Sequence, residues 1–76
     1  MPKLPVLSGK EIIKALAKMG FEEIRQKGSH VILKKQKATG EAGCVVPLHK
    51  EVALGTLKGI LKQASVSVEE FINVLK

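Results

Sequence analysis

The sequence predicts an α+β fold, a two-layer sandwich in which a three-stranded antiparallel sheet carries helices on one face. The expected order is helix, strand, strand, strand, helix, with a short additional helix at the C-terminal end. Two serine capping boxes mark helix starts, and apolar residues recur at helical spacing near both ends of the chain. Within residues 21–46 the period changes to the alternation typical of strands, and glycines mark the turns. A chain of 76 residues is expected to form one domain, 1–76.

The first helix is predicted to start at a capping box. Ser8 and Glu11 have the spacing at which the serine hydroxyl accepts from the Glu11 amide while the Glu11 carboxylate reaches back. Leu7 and Ile12 flank the box as a hydrophobic staple, and Gly20 supplies a left-handed end. The apolar face consists of Ile12, Ile13, Leu16 and Met19. The opposite face carries three lysines, Lys10, Lys14 and Lys18. We interpret this face as solvated, and the alternative is that its lysines contact the phosphates of a nucleic acid.

Three short strands are predicted in the middle of the chain. They are expected at 21–27, 29–35 and 44–46. Gly28 turns the first strand into the second, which contains the strongest β-forming run, Val31-Ile32-Leu33. Residues 37–43 are predicted to be a turn because they are polar and contain two glycines. Pro47 ends the third strand, and connections this short imply antiparallel neighbours.

Two further helices are predicted after a linker, residues 48–54. The second helix opens at Gly55-Thr56 and has an apolar stripe of Leu57, Ile60, Leu61 and Ala64. Gly59 inside it costs about 1 kcal/mol relative to alanine, which favours a close backbone approach at that point. Ser67 and Glu70 form a second capping box. It starts a short helix that is expected to bury Phe71, Ile72, Val74 and Leu75.

Charge and composition narrow the classes of function. A formal net charge of +6 favours a nucleic acid or an acidic protein as partner, although many small basic proteins bind neither. The only aromatic residues, Phe21 and Phe71, lie in apolar patterns, so a base-stacking platform is not expected. The single cysteine, Cys44, excludes an internal disulfide framework and is interpreted as a small buried hydrophobe. With neither a bilayer-spanning run nor a signal-peptide core, we expect a cytoplasmic protein with no membrane partner.

The inventory of reactive side chains excludes several kinds of active site. The chain has no aspartate, tyrosine or tryptophan, and its two histidines and one cysteine lack a zinc-binding spacing. It contains neither a phosphate-binding loop sequence nor a dinucleotide fingerprint. Any catalysis is therefore expected to use histidine, lysine or glutamate, and no cofactor or metal is predicted.

His30 is the most informative candidate because of its position at the head of the best strand. Side chains alternate along a strand, so His30, Ile32 and Lys34 share one face while Val31 and Leu33 share the other. If Val31 and Leu33 face the helices, His30 projects from the open face of the sheet.

An imidazole in a cationic setting suits phosphodiester chemistry. His30 could take the proton of a ribose 2′-hydroxyl or protonate the leaving oxygen, with nearby cations such as Arg25 and Lys27 holding the phosphate. The alternative is a polar residue on an exposed strand or a structural histidine. His49, just after Pro47, is interpreted as a loop residue making a local hydrogen bond, with a supporting role at the phosphate as the alternative.

Several segments together resemble the HicA family (YcfA-like), the small toxins of HicAB toxin–antitoxin systems. The resemblance covers nearly the whole chain in order: 7–11, Gly20-Phe21, Gly28-Ser29-His30, 46–49, 55–64 and 67–71. It implies a fold like that of double-stranded-RNA-binding domains and an mRNA interferase activity, a ribonuclease that cleaves transcripts. It also implies that the catalytic histidine is His30 and that a HicB antitoxin covers the active site.

The resulting prediction is a metal-independent endoribonuclease that cleaves mRNA through His30. Ser29, Lys27, Lys34 and Lys58 are predicted to bind the RNA, with Ser29 orienting nearby groups and the lysines positioning phosphates. One alternative is a non-catalytic module that grips structured RNA through its backbone and shape. Another is a protein-interaction domain whose charge serves only an acidic partner.

Overall fold

The computed structural model describes residues 4–75. Along the chain, one helix comes before the three strands of a sheet and two helices follow them. This order confirms the α+β prediction, including the additional C-terminal helix. The elements are α1 (Gly9–Lys18), β1 (Glu22–Lys27), β2 (His30–Lys37), β3 (Gly40–Pro47), α2 (Leu54–Gln63) and α3 (Val68–Leu75). No helix in this part of the chain is long and apolar enough to cross a bilayer.

The three strands form one antiparallel sheet in the order β1-β2-β3, and the helices cover one of its faces. Val31, Leu33, Cys44 and Val46 are buried on the helix face, where α1 and α2 pack against β3. The alternate residues of β2 point the other way, and Lys34 among them is exposed. This confirms the predicted arrangement with helices on one face. All six residues of β1 are exposed, because the helices pack mainly over β2 and β3.

The helix starts are local features, and both predicted capping boxes are present. The Glu11 amide donates to Ser8 Oγ over 3.2 Å, and the Ser8 amide donates to Glu11 Oε1 over 3.0 Å. In the second box the Glu70 amide donates to Ser67 Oγ over 3.1 Å, and the Ser67 amide donates to Glu70 Oε1 over 3.3 Å. Gly20 follows α1 with φ of 99°, which confirms the left-handed helix end.

The core lies between the helices and the sheet. It includes both aromatic rings, Phe21 and Phe71, which confirms that neither forms an exposed stacking platform. Phe71 is the fully buried residue of α3, while Ile72, Val74 and Leu75 are only half-buried. The largest fully buried side chains are Phe71, Ile12, Leu16, Leu33, Leu57, Leu61, Val31, Val46 and Val52.

The predicted turn at residues 37–43 is wrong. β2 continues to Lys37 and β3 begins at Gly40, so a two-residue turn, Ala38-Thr39, joins them. Neither Ala38 nor Thr39 has a positive φ, and Gly40 completes the tight turn with φ of 133°, a conformation that favours glycine. Gly43 lies inside the strand, where a Cβ atom would come within 3.4 Å of the Leu33 carbonyl oxygen. Its glycine thus reflects close packing of neighbouring strands rather than a turn.

The predicted close backbone approach at Gly59 is also wrong. A Cβ atom at Gly59 would meet nothing within 4 Å. The close approach occurs instead at Gly9, where a Cβ atom would overlap the carbonyl oxygen of Pro47 and lie 2.9 Å from Leu48 Cα. A glycine at the start of α1 therefore lets this helix end touch the backbone that leaves β3.

Candidate active site at one end of the sheet

His30 is the first residue of β2, in the middle of the sheet. Its partners in the ladder are Lys27 on β1 and Pro47 on β3. His30 is exposed while Val31 is 2% exposed, so the imidazole projects from the face that the helices leave open. This confirms the predicted orientation.

The turn before His30 is held on both sides. Gly28 adopts φ of 61°, which a residue with a side chain adopts only at a cost, and its carbonyl accepts from Gln26 Nε2 over 3.1 Å. The Ser29 carbonyl accepts from the Leu48 amide over 2.7 Å. That bond continues the β2–β3 pairing one step beyond Pro47 and fixes the backbone that carries His30.

The N-terminus of α1 closes the same end of the sheet. The Gly9 amide donates to the His49 carbonyl over 2.9 Å, and Gly9 lies against Pro47 and Leu48. The backbone carbonyl of His49 thus joins two segments that are distant in sequence. The His49 side chain is exposed, as is the Lys10 side chain one residue after Gly9.

The strand register decides which cations lie beside His30. Lys27 is its direct partner, and Arg25 is the partner of Ile32, two residues further along β2. Directly opposed residues share a face and have Cβ atoms about 4.5–5.5 Å apart, so Lys27 is the nearest predicted cation. The one ion pair among residues 4–75 joins Lys34 and Glu41, so Lys27 has no carboxylate partner within that range.

Two of the predicted RNA-binding lysines lie away from this group. Lys34 is on the same face, but four residues along β2 places it about 13 Å from His30. Its Nζ lies 3.7 Å from a Glu41 oxygen, and both side chains are about half exposed. Lys58 is exposed on α2, which belongs to the helical layer on the other side of the sheet. The structure therefore brings together Lys27, Ser29 and His30 but not Lys34 or Lys58.

Lys10 is a neighbour of the site that the sequence analysis did not group with His30. It lines a shallow groove between α1 and β1 with Ile13, Glu23, Gln26, Val31 and Leu48. In the sequence Lys10 is the first member of a lysine stripe that is interpreted as solvated, with contacts to the phosphates of a nucleic acid as the alternative. Its proximity to Leu48 depends on the contact of Gly9 with Pro47 and on the bond to His49, which no local pattern reveals.

The remaining candidate groups do not supply a nucleophile. Burial raises the pKa of the Cys44 thiol to about 11, and the residue is 4% exposed, as expected for a small core hydrophobe. Among residues 4–75 no group of three histidine, cysteine or acidic side chains is arranged to hold a metal ion. The available chemistry is proton transfer by an exposed imidazole, with a lysine ammonium beside it to attract an anion.

The comparison with family models gives a match that covers most of the chain. Residues 9–66 match the family described as HicA toxin of bacterial toxin–antitoxin systems. A search of curated proteins found no match. The matched range runs from the start of α1 past the end of α2 and includes His30, Lys27 and the segment after β3. A toxin of such a system implies an antitoxin partner. The chain belongs to the HicA toxin family of bacterial toxin–antitoxin systems.

Proposed function

We propose that this toxin is a metal-independent endoribonuclease that cleaves mRNA in the cytoplasm with His30 as its catalytic residue. The observation that carries the proposal is an exposed imidazole on the open sheet face, beside Lys27, on a backbone held by the Leu48–Ser29 hydrogen bond. The absence of aspartate from the chain leaves glutamate as the only carboxylate side chain, which favours proton transfer by histidine.

The simplest reaction for such a site uses the ribose itself. The 2′-oxygen attacks the adjacent phosphorus, the bond from phosphorus to the 5′-oxygen breaks, and the products are a 2′,3′-cyclic phosphate and a 5′-hydroxyl. The 2′-hydroxyl loses a proton and the leaving oxygen gains one; His30 performs one of these two transfers and solvent water performs the other. The Lys27 ammonium stabilises the negative charge that develops on the phosphate oxygens.

The predicted RNA contacts differ in their structural support. Lys27 and Ser29 adjoin His30 and are proposed to bind the reacting phosphate. Lys34 lies on the same face about 13 Å away, so it is proposed to bind a phosphate of the RNA other than the one that reacts. The support for Lys58 is its charge and exposure alone. Lys10 is added because it lines the groove beside Leu48.

A HicB-type antitoxin is proposed to cover the open sheet face. That face carries exposed or half-buried apolar residues, with Ile24 at 55% and Val45 at 40% exposure on either side of Ile32. Arg25 and Lys27 lie among them. A partner with acidic side chains around an apolar anchor fits this mixture and would block access to His30.

The decisive experiment compares the wild type with His30→Ala on RNA and DNA of one sequence. Proton transfer by a histidine contributes about 10²–10⁴-fold, so His30→Ala should lose that much cleavage while still binding RNA. DNA should remain intact because it lacks the 2′-hydroxyl. Gln36→Ala is the matched control, since Gln36 is an exposed residue of the same strand and the same face.

Two results would contradict the ribonuclease. Cleavage of RNA by His30→Ala at the wild-type rate would remove His30 from the chemistry. Salt-sensitive RNA binding by the wild type without any cleavage would instead favour the alternative, a non-catalytic RNA-binding module of the kind that double-stranded-RNA-binding domains represent, for which the net charge of +6 is the supporting observation.

A further inference from the structure

The outer edge of β1 is an open sheet edge. β1 is the first strand in the order β1-β2-β3, and among residues 4–75 no strand pairs with its other side. All six of its residues are exposed. An unpaired edge presents a row of free amide and carbonyl groups, which is a template for pairing with another strand.

Four of the six side chains of β1 lie on the open face of the sheet. Glu22 opposes Lys34, an open-face residue of β2, and the exposed Ile24 lies between Glu23 and Arg25, where the register shifts. Arg25 and Lys27 oppose the open-face residues Ile32 and His30. The register shift between Glu23 and Arg25 fits a β-bulge, in which the neighbours Ile24 and Arg25 share a face.

The other two side chains, Glu23 and Gln26, lie on the helix face. Both line the groove that also contains Ile13 of α1 and Val31 of β2. From Glu22 to Lys27 the faces therefore read open, helix, open, open, helix, open. This order is the same in both directions, whereas a regular strand of six residues has its first and last side chains on opposite faces.

A strand with this symmetry can pair with a second copy of itself. In an antiparallel pair, directly opposed residues share a face, so a two-fold axis between Ile24 and Arg25 requires Glu22 and Lys27 to lie on one face. The bulge fulfils that condition. We propose that β1 pairs antiparallel with β1 of a second copy of this chain, with Glu22 of each copy opposite Lys27 of the other.

The charges favour this register. Each Glu22 carboxylate meets a Lys27 ammonium, each Glu23 carboxylate meets the amide of Gln26, and each Ile24 lies against the aliphatic stem of Arg25. Protected edges usually carry charges or bulges that keep an added strand away. In β1 the negative charges are at one end and the positive charges at the other, and the bulge gives the two ends matching faces. A shift of one residue would oppose Arg25 to itself or Ile24 to itself, and would pair open-face with helix-face side chains.

The pairing changes the surroundings of His30 without depending on the proposed function. The axis is perpendicular to the sheet, so the two sheets join into six strands with both open faces on one side. Glu22 of the second copy then lies beside Lys27, which is the ladder partner of His30. The second copy thus contributes a carboxylate next to the candidate active site.

A charge-reversal cycle tests the pairing. Sedimentation velocity of the wild type up to about 1 mM should show a monomer–dimer equilibrium that weakens with salt. Glu22→Lys and Lys27→Glu should each weaken the dimer about tenfold, because two attractive pairs become repulsive. The double variant should restore the wild-type dissociation constant to within about threefold. Glu69→Lys and Lys62→Glu, exposed on other elements, should leave it unchanged.

Three outcomes would overturn the proposal. These are a wild type that stays monomeric at every concentration, a double variant as weak as the single ones, or equal weakening by the control reversals. Backbone amide exchange provides a second measurement. The outward amides of β1 should become protected as the concentration rises, while β2 and β3 stay protected throughout, which also shows that each variant is folded.

Discussion

The two ends of the open sheet face are built in opposite ways. At the His30 end the backbone is held by segments outside the sheet, through the Gly9–His49 and Leu48–Ser29 hydrogen bonds. At the hairpin end the side chains hold one another: Glu41 accepts from Gln36 Nε2 over 3.2 Å and lies 3.7 Å from Lys34 Nζ. Only two residues connect the strands there.

This difference supports the His30 end as the proposed binding site. At the hairpin end Gln36 and Lys34 both interact with Glu41, so these side chains partner one another. The fixed backbone at the His30 end leaves its side chains exposed, and Lys27 is outside the one ion pair of residues 4–75. A fixed backbone with unpartnered polar side chains costs little reorganisation when an anion arrives.

Among the substitutions that test the difference between the two ends, Gly9→Ala should have the largest effect, because it adds a methyl group where α1 touches the segment after β3. A methyl group in Gly9→Ala would overlap the Pro47 carbonyl oxygen, and backbone cannot move aside as a flexible side chain can. We expect a loss of about 1–3 kcal/mol in the free energy of unfolding, measured by urea denaturation. RNA cleavage should fall as well, because Pro47 is the ladder partner of His30.

Gly59→Ala is the matched control for that substitution. Gly59 is also a helical glycine, but a Cβ atom there has open space, so alanine should stabilise the protein by about 1 kcal/mol. Equal stability changes for the two variants would show that the contact of α1 with the segment after β3 does not hold this end of the sheet.

A smaller effect should separate the two lysines of the open face. Lys27→Ala removes the cation beside His30 and should reduce cleavage about tenfold, which is about 1.4 kcal/mol. Lys34→Ala removes a cation that already has a carboxylate partner and should change the rate less than threefold. Single-turnover rates on one RNA measure both, and a larger loss for Lys34 than for Lys27 would reverse the assignment of the two ends.

The sequence predicts what local chemistry determines. Both capping boxes, the helix end at Gly20 and the alternation along β2 depend on residues a few positions apart, and all are present in the structure. The prediction of a turn over residues 37–43 is wrong because Gly40 and Gly43 both resemble turn residues, whereas Gly43 is a ladder residue opposite Lys34. Local composition does not distinguish a glycine needed for a turn from one needed for close packing.

The candidate site could be predicted in part. His30 and its face follow from the period of two, but its neighbours depend on register, which the bulge in β1 changes. The role of Gly9 is also hidden, because its contact is with a segment almost forty positions later. Residue types were therefore predictable, whereas the grouping of Lys27 with His30 and of Lys10 with Leu48 required the fold.

The smallest expected effect concerns the two capping boxes, one near each end of the sheet. Hydrogen bonds from the Ser8 backbone and then its side chain lower the pKa of Glu11, and the equivalent bonds of Ser67 lower that of Glu70. Lys37 and Lys35, at the hairpin end, contribute further only to the lowered pKa of Glu70. A lowered carboxyl pKa gives stability that is present above the ordinary value of 4.5 and lost as the pH falls through the lowered value.

Glu11→Gln and Glu70→Gln should therefore each reduce the loss of stability in acid, measured as the free energy of unfolding between about pH 2 and 7. Raising the salt to about 1 M shortens the Debye length to about 3 Å, which screens the lysines but not the short hydrogen bonds. The difference between wild type and Glu70→Gln should shrink in high salt, and that for Glu11→Gln should not. An equal response to salt would mean that Lys35 and Lys37 do not act on α3, and that the hairpin end is held by its own side-chain pairs alone.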